Sequence, residues 1–193
     1  MYSVETKNNP TKQIMGNPRV GLLTLCAAIL LCLAAGAQNQ PRVSPINAGG
    51  PWQEYDSHDP MTDVKRSRFE LAGDNPLRNS SANPKINIYC ENGKFLFGHF
   101  DPLVRVDPNR PGFWGQPQVQ VVVRVDSHND RHSWNWDGHF LAMDKDSVRG
   151  LIGATVFKVQ LPGPGVPENI ATFSPAGLDL PEFDKACHLK PKH

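Results

Sequence analysis

The chain has 193 residues, and its 20 lysines and arginines nearly balance its 19 aspartates and glutamates, which leaves a formal net charge of +1. A protein so close to neutral has no bulk electrostatic attraction to nucleic acid or to an anionic membrane. We therefore predict no nucleic-acid partner.

The first 37 residues have the three parts of a secretory signal peptide. Three basic residues precede an almost wholly apolar stretch at residues 20–37, and small residues stand at Ala35 and Ala37, where a signal peptidase cuts. We predict cleavage after Ala37 and a periplasmic or secreted product. An uncleaved N-terminal membrane anchor is the alternative, because the eighteen residues at 20–37 nearly reach the roughly twenty that span a bilayer.

Removal of the signal peptide, residues 1–37, leaves 156 residues with 17 basic and 18 acidic side chains, since the leader holds three lysines or arginines and one glutamate. This length suits one domain with its own core, which we place at residues 51–193. Residues 38–50 are mostly Gln, Asn, Pro, Gly and Ser, so they are predicted to form a flexible tether. We expect no stable membrane insertion once the leader is removed.

Two of the four cysteines, Cys26 and Cys32, lie in the leader and would leave with it. Cys90 and Cys187 remain as an even pair in a chain bound for an oxidising compartment, and such a pair favours a disulfide. A reactive thiol or a metal-binding pair is the alternative, but no Cys-x-x-Cys spacing supports either.

From Trp52 onward, short extended runs alternate with turns rich in Pro, Gly, Asn and Asp. Strands are predicted at residues 64–72, 85–90, 95–100, 118–126, 131–136, 139–143, 155–161 and 170–173. Short helices are predicted at residues 146–151, with Asp144 or Asp146 as N-cap, and at the end of residues 177–187. This content predicts a mostly β fold, either an antiparallel sandwich or a curled sheet, with two short helices and one disulfide.

Four aromatic residues are the candidate partner-binding residues. Phe113 and Trp114 lie in the proline-rich segment 101–117, and long loops of this kind in compact domains are often functional. Trp134 and Trp136 lie two apart in a predicted strand and so share one face. An exposed patch of these rings would bind a protein partner. The alternative is that they cap the edge of a small core.

Ligand-type side chains crowd between residues 126 and 139. His128, His132 and His139 are candidate zinc ligands among neighbouring aspartates. In a strand, however, His128 and His132 would point to one face about 13 Å apart, too far to share an ion unless the turn folds them together. A polar surface hairpin is the alternative.

The sequence carries no motif for nucleophilic catalysis or for phosphate binding, such as Gly-x-Ser-x-Gly or His-Glu-x-x-His. We therefore predict a protein that is not an enzyme and has no cofactor. A metal-dependent periplasmic enzyme that uses the 126–139 segment is the alternative.

Several landmarks follow one another along the chain: Trp52, Asp-Pro-Met-Thr-Asp at 59–63, the strand that ends in Cys90, Arg-Val-Asp at 124–126, the tryptophan stretch at 133–136, Ala-Thr-Phe at 171–173 and Ala-Cys at 186–187. Their order resembles that of a bacterial family, the VasI/TagO group of type VI secretion-associated envelope proteins. The resemblance covers about residues 52–188. It implies an exported, non-catalytic accessory protein with a conserved disulfide and a partner among other envelope proteins.

Overall fold

The computed structural model describes residues 44–163 and 169–192. The predicted signal peptide and the first residues of the predicted tether lie outside this range. The described residues form the strands β1 (Ile46–Asn47), β2 (Trp52–His58), β3 (Lys65–Ala72), β4 (Lys85–Glu91), β5 (Lys94–Asp101), β6 (Arg110–Pro111), β7 (Pro117–Val125), β8 (His128–Trp136), β9 (Leu141–Met143), β10 (Phe157–Gln160) and β11 (Ile170–Phe173). They also form two helices, α1 (Lys145–Leu151) and α2 (Leu180–Cys187).

The strands of the described residues belong to a single antiparallel sheet in the order β1-β2-β3-β4-β5-β9-β8-β7-β10-β11, with β6 paired to β7. Neighbouring strands in the chain mostly pair with each other, and two-residue turns join β4 to β5 and β7 to β8. The β4–β5 turn is the Asn92-Gly93 pair, whose φ angles of 48° and 77° match the turn that suits the twist of a two-residue hairpin.

The sheet curls until its last strand meets the segment that follows β3. The Asp74 N–H donates to the carbonyl oxygen of Thr172 (2.7 Å), and the Asn75 side chain accepts from Thr172 N–H and donates to the carbonyl oxygen of Ile170, both at 3.0 Å. These bonds satisfy polar groups on an edge strand that otherwise invites pairing with another chain. The predicted mostly β antiparallel fold is confirmed, with one open, curled sheet.

The core lies on the inner face of the curl, because alternate residues are buried along strands such as β4, β7, β10 and β11. Trp52 is buried, and its indole N–H donates to the carbonyl oxygen of Pro175 (2.7 Å). The large fully buried side chains are Trp52, Trp134, Phe69, Phe100, Phe157, Phe173, Phe183, Leu71, Ile86, Ile88, Leu141 and Leu151.

Helix α2 is joined to the sheet by the disulfide between Cys90 in β4 and Cys187 at the helix end, with 5.2 Å between their Cα atoms. Both cysteines are buried. Phe183 of the same helix packs edge-on against Phe69, with ring centroids 4.9 Å apart. The predicted disulfide is therefore confirmed, and it fixes a helix that also contributes to the core.

The end of the predicted tether is part of the fold instead. Ile46 and Asn47 form β1, which pairs with β2, and Ala48 is buried. Gly49 is needed for this close approach, since a Cβ there would lie 2.2 Å from the carbonyl oxygen of Gly177. The polar composition of residues 38–50 concealed this packing because it depends on small residues and not on apolar ones.

Candidate functional site

The structure divides the four candidate aromatic residues into two separate pairs. Trp134 is fully buried, and Trp136 is half-buried against the same core. They share the inner face of β8, as the spacing predicted, but this face is the core face. Trp134 therefore cannot belong to an exposed binding patch, and the alternative of a capped core holds for this pair.

Phe113 and Trp114, by contrast, lie at the tip of an ordered hairpin. Strands β6 and β7 pair through Arg110–Gln118 and Pro111–Pro117, and the two rings lie between them. Phe113 is 87% exposed and Trp114 is 86% exposed. The rings pack edge to face, with centroids 4.8 Å apart. The hairpin thus presents a convex pair of aromatic side chains to solvent.

The backbone of this tip is held by its own residues. The N–H of Gly112 donates to the carbonyl oxygen of Gln116 (2.8 Å), and the N–H of Gly115 donates to that of Gly112 (2.9 Å). The Gln116 side chain folds back, and its Oε1 accepts from the Trp114 N–H (3.0 Å). A Cβ on Gly112 would meet that side chain at 2.5 Å, so glycine is required for the clamp. Sequence reasoning treated this region as loop and missed the clamp.

The 101–117 segment as a whole is unusually apolar at the surface. Among the described residues eight large apolar side chains are exposed, and three of them, Leu103, Phe113 and Trp114, lie in this segment. Leu103 has a φ of 53°, a left-handed conformation that costs a residue with a Cβ about 1–2 kcal/mol. Buried Val106 attaches the segment to the core. An exposed leucine in a strained conformation does little to stabilise the free chain, and such residues cluster at functional sites. Leu103 therefore favours a binding role for this segment.

The three histidines of the candidate metal site do not form a metal-binding group. His128 and His132 both lie in β8 and line one open pocket of about 270 Å³. The Nε2 of His128 lies 3.3 Å from Asp130, and the Nδ1 of His132 lies 2.7 Å from Asp144. His139 lies in a turn, where its N–H donates to Asp137. Across the described ranges, no group of three or more His, Cys, Asp or Glu side chains is placed to hold a metal ion.

Asp144 organises a network that the sequence indicated only as a helix cap. Its Oδ1 accepts from the Ser147 N–H (2.8 Å), and its Oδ2 accepts from the Trp134 indole (2.9 Å) and the Ser147 hydroxyl (2.9 Å). Burial acts to raise the pKa of Asp144, but these donors and His132 together hold it below its usual value. The Ser147 hydroxyl also lies 3.1 Å from the Nδ1 of His132, the same ring nitrogen that contacts Asp144. In a catalytic triad the serine and the carboxylate contact opposite nitrogens of the imidazole, so this cluster has a different arrangement, in which Asp144 caps α1.

The outer face of the sheet carries a second aromatic cluster. Tyr89, Phe97, His99 and Phe140 form a row in which His99 stacks between Phe97 (4.5 Å) and Phe140 (3.5 Å). Burial lowers the pKa of His99. The stacked rings stabilise neighbouring strands, and Phe97 at one side of the row is 40% exposed.

A shallow acidic cleft of about 380 Å³ lies beside the disulfide. Glu54 and Asp56 of β2 line it together with Glu182 and Lys185 of α2. Burial and the neighbouring Asp56 raise the pKa of Glu54 to about 7. This cleft was not predicted, because β2 and α2 are far apart in the sequence.

Comparisons with protein-family models, with curated proteins and with solved structures find no match to this chain. The resemblance to the VasI/TagO group therefore stays a prediction. Within residues 44–163 and 169–192, neither helix is long and apolar enough to cross a bilayer.

The Asp144 network should matter more to stability than its surface position suggests. Asp144→Ala removes a helix cap and leaves the buried Trp134 N–H without an acceptor, so we expect a loss of about 2–4 kcal/mol in the free energy of unfolding. Asp146→Ala is the control, since its ion pairs with Arg149 (3.8 Å) and Lys192 (3.7 Å) are exposed and are worth about 0–1 kcal/mol. Denaturant unfolding measures both, and equal losses in the two variants would contradict this role.

The raised pKa of Glu54 predicts a specific pH dependence of stability. Folded Glu54 keeps its proton up to a pKa of about 7, whereas the unfolded carboxyl loses it near 4.5. The folded state therefore binds more protons between these values, and its stability falls as pH rises from about 4.5 to 7. Glu54→Gln should remove this contribution. Urea unfolding of wild type and variant at pH 5, 6, 7 and 8 tests it, and the prediction fails if their pH profiles are parallel.

Proposed function

We propose that the chain is an exported, non-catalytic binding module of the cell envelope that contacts its partner through Phe113 and Trp114. One observation carries the proposal. Two large aromatic side chains stand 87% and 86% exposed on a hairpin whose backbone is fixed by its own hydrogen bonds.

The two rings contribute little to the stability of the free chain, because they are exposed. Burial of such a side chain is worth about 1.5–3 kcal/mol. A partner that covers both rings gains this free energy. Because the clamp by Gln116 orders the tip before contact, little conformational entropy is lost on binding. Rigid aromatic anchors of this kind dominate many interfaces.

Export is supported by two independent features. The leader has the composition of a signal peptide, and the Cys90–Cys187 disulfide is of a kind that persists in oxidising compartments. The resemblance to type VI secretion-associated envelope proteins favours the same location, and a direct secretion-system role is a further part of the proposal. The metal-dependent alternative gains no support, because no group of three or more His, Cys, Asp or Glu side chains among the described residues is placed to hold a metal ion.

Photo-cross-linking in the producing cells tests the binding role. Benzoylphenylalanine at position 114 keeps an aromatic ring at the tip, and we expect it to give a discrete adduct on irradiation because the tip is covered by its partner. The same residue at position 61 is the control, since Met61 is 90% exposed at an unrelated turn. The absence of an adduct at position 114, or equal labelling at both positions, would sink the proposal.

A further inference from the structure

We propose that the surface contacted by the Phe113–Trp114 tip is the interfacial region of a lipid bilayer. This inference rests on the proposed function, because it names the partner of the same tip. Three features of the hairpin point to lipid: its shape, the hydrogen bonding of its backbone and the placement of charge around it.

The tip is convex, so its partner needs a surface that is concave or that deforms around the tip. Both rings lie at the end of a two-stranded hairpin and are almost fully exposed. A protein partner would need a pre-formed pocket for two perpendicular rings. The boundary between headgroups and acyl chains deforms around such a protrusion, and aromatic side chains concentrate there because they have an apolar body with a polar edge.

Much of the backbone of the tip is hydrogen-bonded internally. In residues 111–117, Pro111 and Pro117 have no N–H to satisfy. The N–H groups of Gly112, Trp114 and Gly115 donate to acceptors within the tip itself, whereas those of Phe113 and Gln116 have no acceptor among the described residues. An unsatisfied N–H costs free energy in hydrocarbon, so internal pairing favours lipid contact, and the two remaining N–H groups limit that contact to the hydrated interface. A protein interface does not need internal pairing, because the partner and trapped water supply acceptors.

The Gln116 side chain also favours lipid contact. Its amide oxygen, which would be the natural hydrogen-bonding group to offer a protein partner, is used to accept from the Trp114 N–H (3.0 Å). This amide oxygen is therefore occupied within the tip, next to the two exposed rings.

The charges around the tip suit a bilayer surface, where an apolar interior lies beneath a layer of phosphate groups. Residues 111–117 contain no ionisable side chain, and the first one behind the rings is the cation Arg110, which is exposed. When the rings lie in the membrane interface, the Arg110 guanidinium behind them can bind lipid phosphates. Since the net charge of the chain is near zero, the rings and not the overall field provide the attraction. Contact by two rings is shallow and reversible, which agrees with the expectation that the mature chain does not insert stably.

Vesicle binding by the protein as recovered from the producing cells tests the inference. Trp114 is one of four tryptophans, and Trp52 and Trp134 are buried at 1% and 0% exposure. The difference between the wild-type and Trp114→Phe emission spectra therefore isolates the tip, even if residues 1–37 are retained. With phosphatidylcholine vesicles we expect this difference spectrum to shift to shorter wavelength and to be quenched by brominated acyl chains.

Partitioning of variants gives the magnitude. For chains that lack the leader, Phe113→Ala/Trp114→Ala should lower the vesicle partition coefficient by at least about tenfold, because burial of each ring is worth about 1.5–3 kcal/mol and 1.4 kcal/mol is tenfold. Met61→Ala should leave it unchanged. A difference spectrum that is neither shifted nor quenched by vesicles overturns the inference, as does equal partitioning of the double variant.

The two proposals fail separately. A protein adduct from position 114 in cells, together with an unshifted Trp114 spectrum on vesicles, would overturn lipid contact and leave the binding role intact. A lipid adduct from position 114 with a shifted spectrum supports both. If position 114 gives no adduct and the Trp114 difference spectrum does not shift, both the binding role and the lipid contact are contradicted.

Discussion

Strand β7 is the element on which both the fold and the candidate binding site depend. Val119, Val121 and Val123 place one face of it in the core, and its backbone pairs with three other strands. β8 pairs along almost its full length, β10 pairs with its second half and β6 pairs with its first two residues. The hairpin tip is therefore a direct extension of a strand that is paired on both edges, and the core holds the base of the hairpin in place.

The two faces of the curled sheet have different roles. The inner face is stabilised by burial and closed by α1 and α2, which are attached at Asp144 and at the Cys90–Cys187 disulfide. The outer face is stabilised by ring stacking, as in the Phe97–His99–Phe140 row. Leu96 and Phe97 of β5 are 47% and 40% exposed, whereas Phe113 and Trp114 on the β6–β7 hairpin are 87% and 86% exposed. Local packing does not explain so high an exposure, and the proposed partner would.

Much of the fold follows from patterns that are local in the sequence. Alternation along β4 and β7, the Asn92-Gly93 turn and the capping aspartate of α1 were all predictable, and so was the disulfide, from the parity of the cysteines outside the leader. The site was less predictable, because it depends on which face of a strand is covered. The Trp134/Trp136 spacing gives a shared face but does not say that this face is the core.

The remaining misses have the same physical origin. The clamp of Gln116 over Gly112 depends on a side-chain conformation, and the raised pKa of Glu54 depends on the approach of α2 to β2 across the fold. Neither leaves a periodic signal in the sequence. The closure at Gly49 depends on the absence of a Cβ, which composition reads as flexibility. These features depend on side-chain conformation and on contacts between distant segments, and the hydrophobic pattern of the sequence predicts neither.

The central claim is that the Phe113–Trp114 tip is an ordered, preformed anchor. Residue-resolved amide hydrogen exchange in the free protein tests it most directly, since the claim requires the hydrogen bonds of the tip to exist before any partner arrives. Our account predicts that the amides of Gly112, Trp114 and Gly115 exchange more slowly than in an unstructured peptide of the same sequence, and that Gly112→Ala abolishes the protection at Trp114. Exchange at the unstructured rate in the wild-type protein would contradict it, because the rings would then lie on a mobile loop.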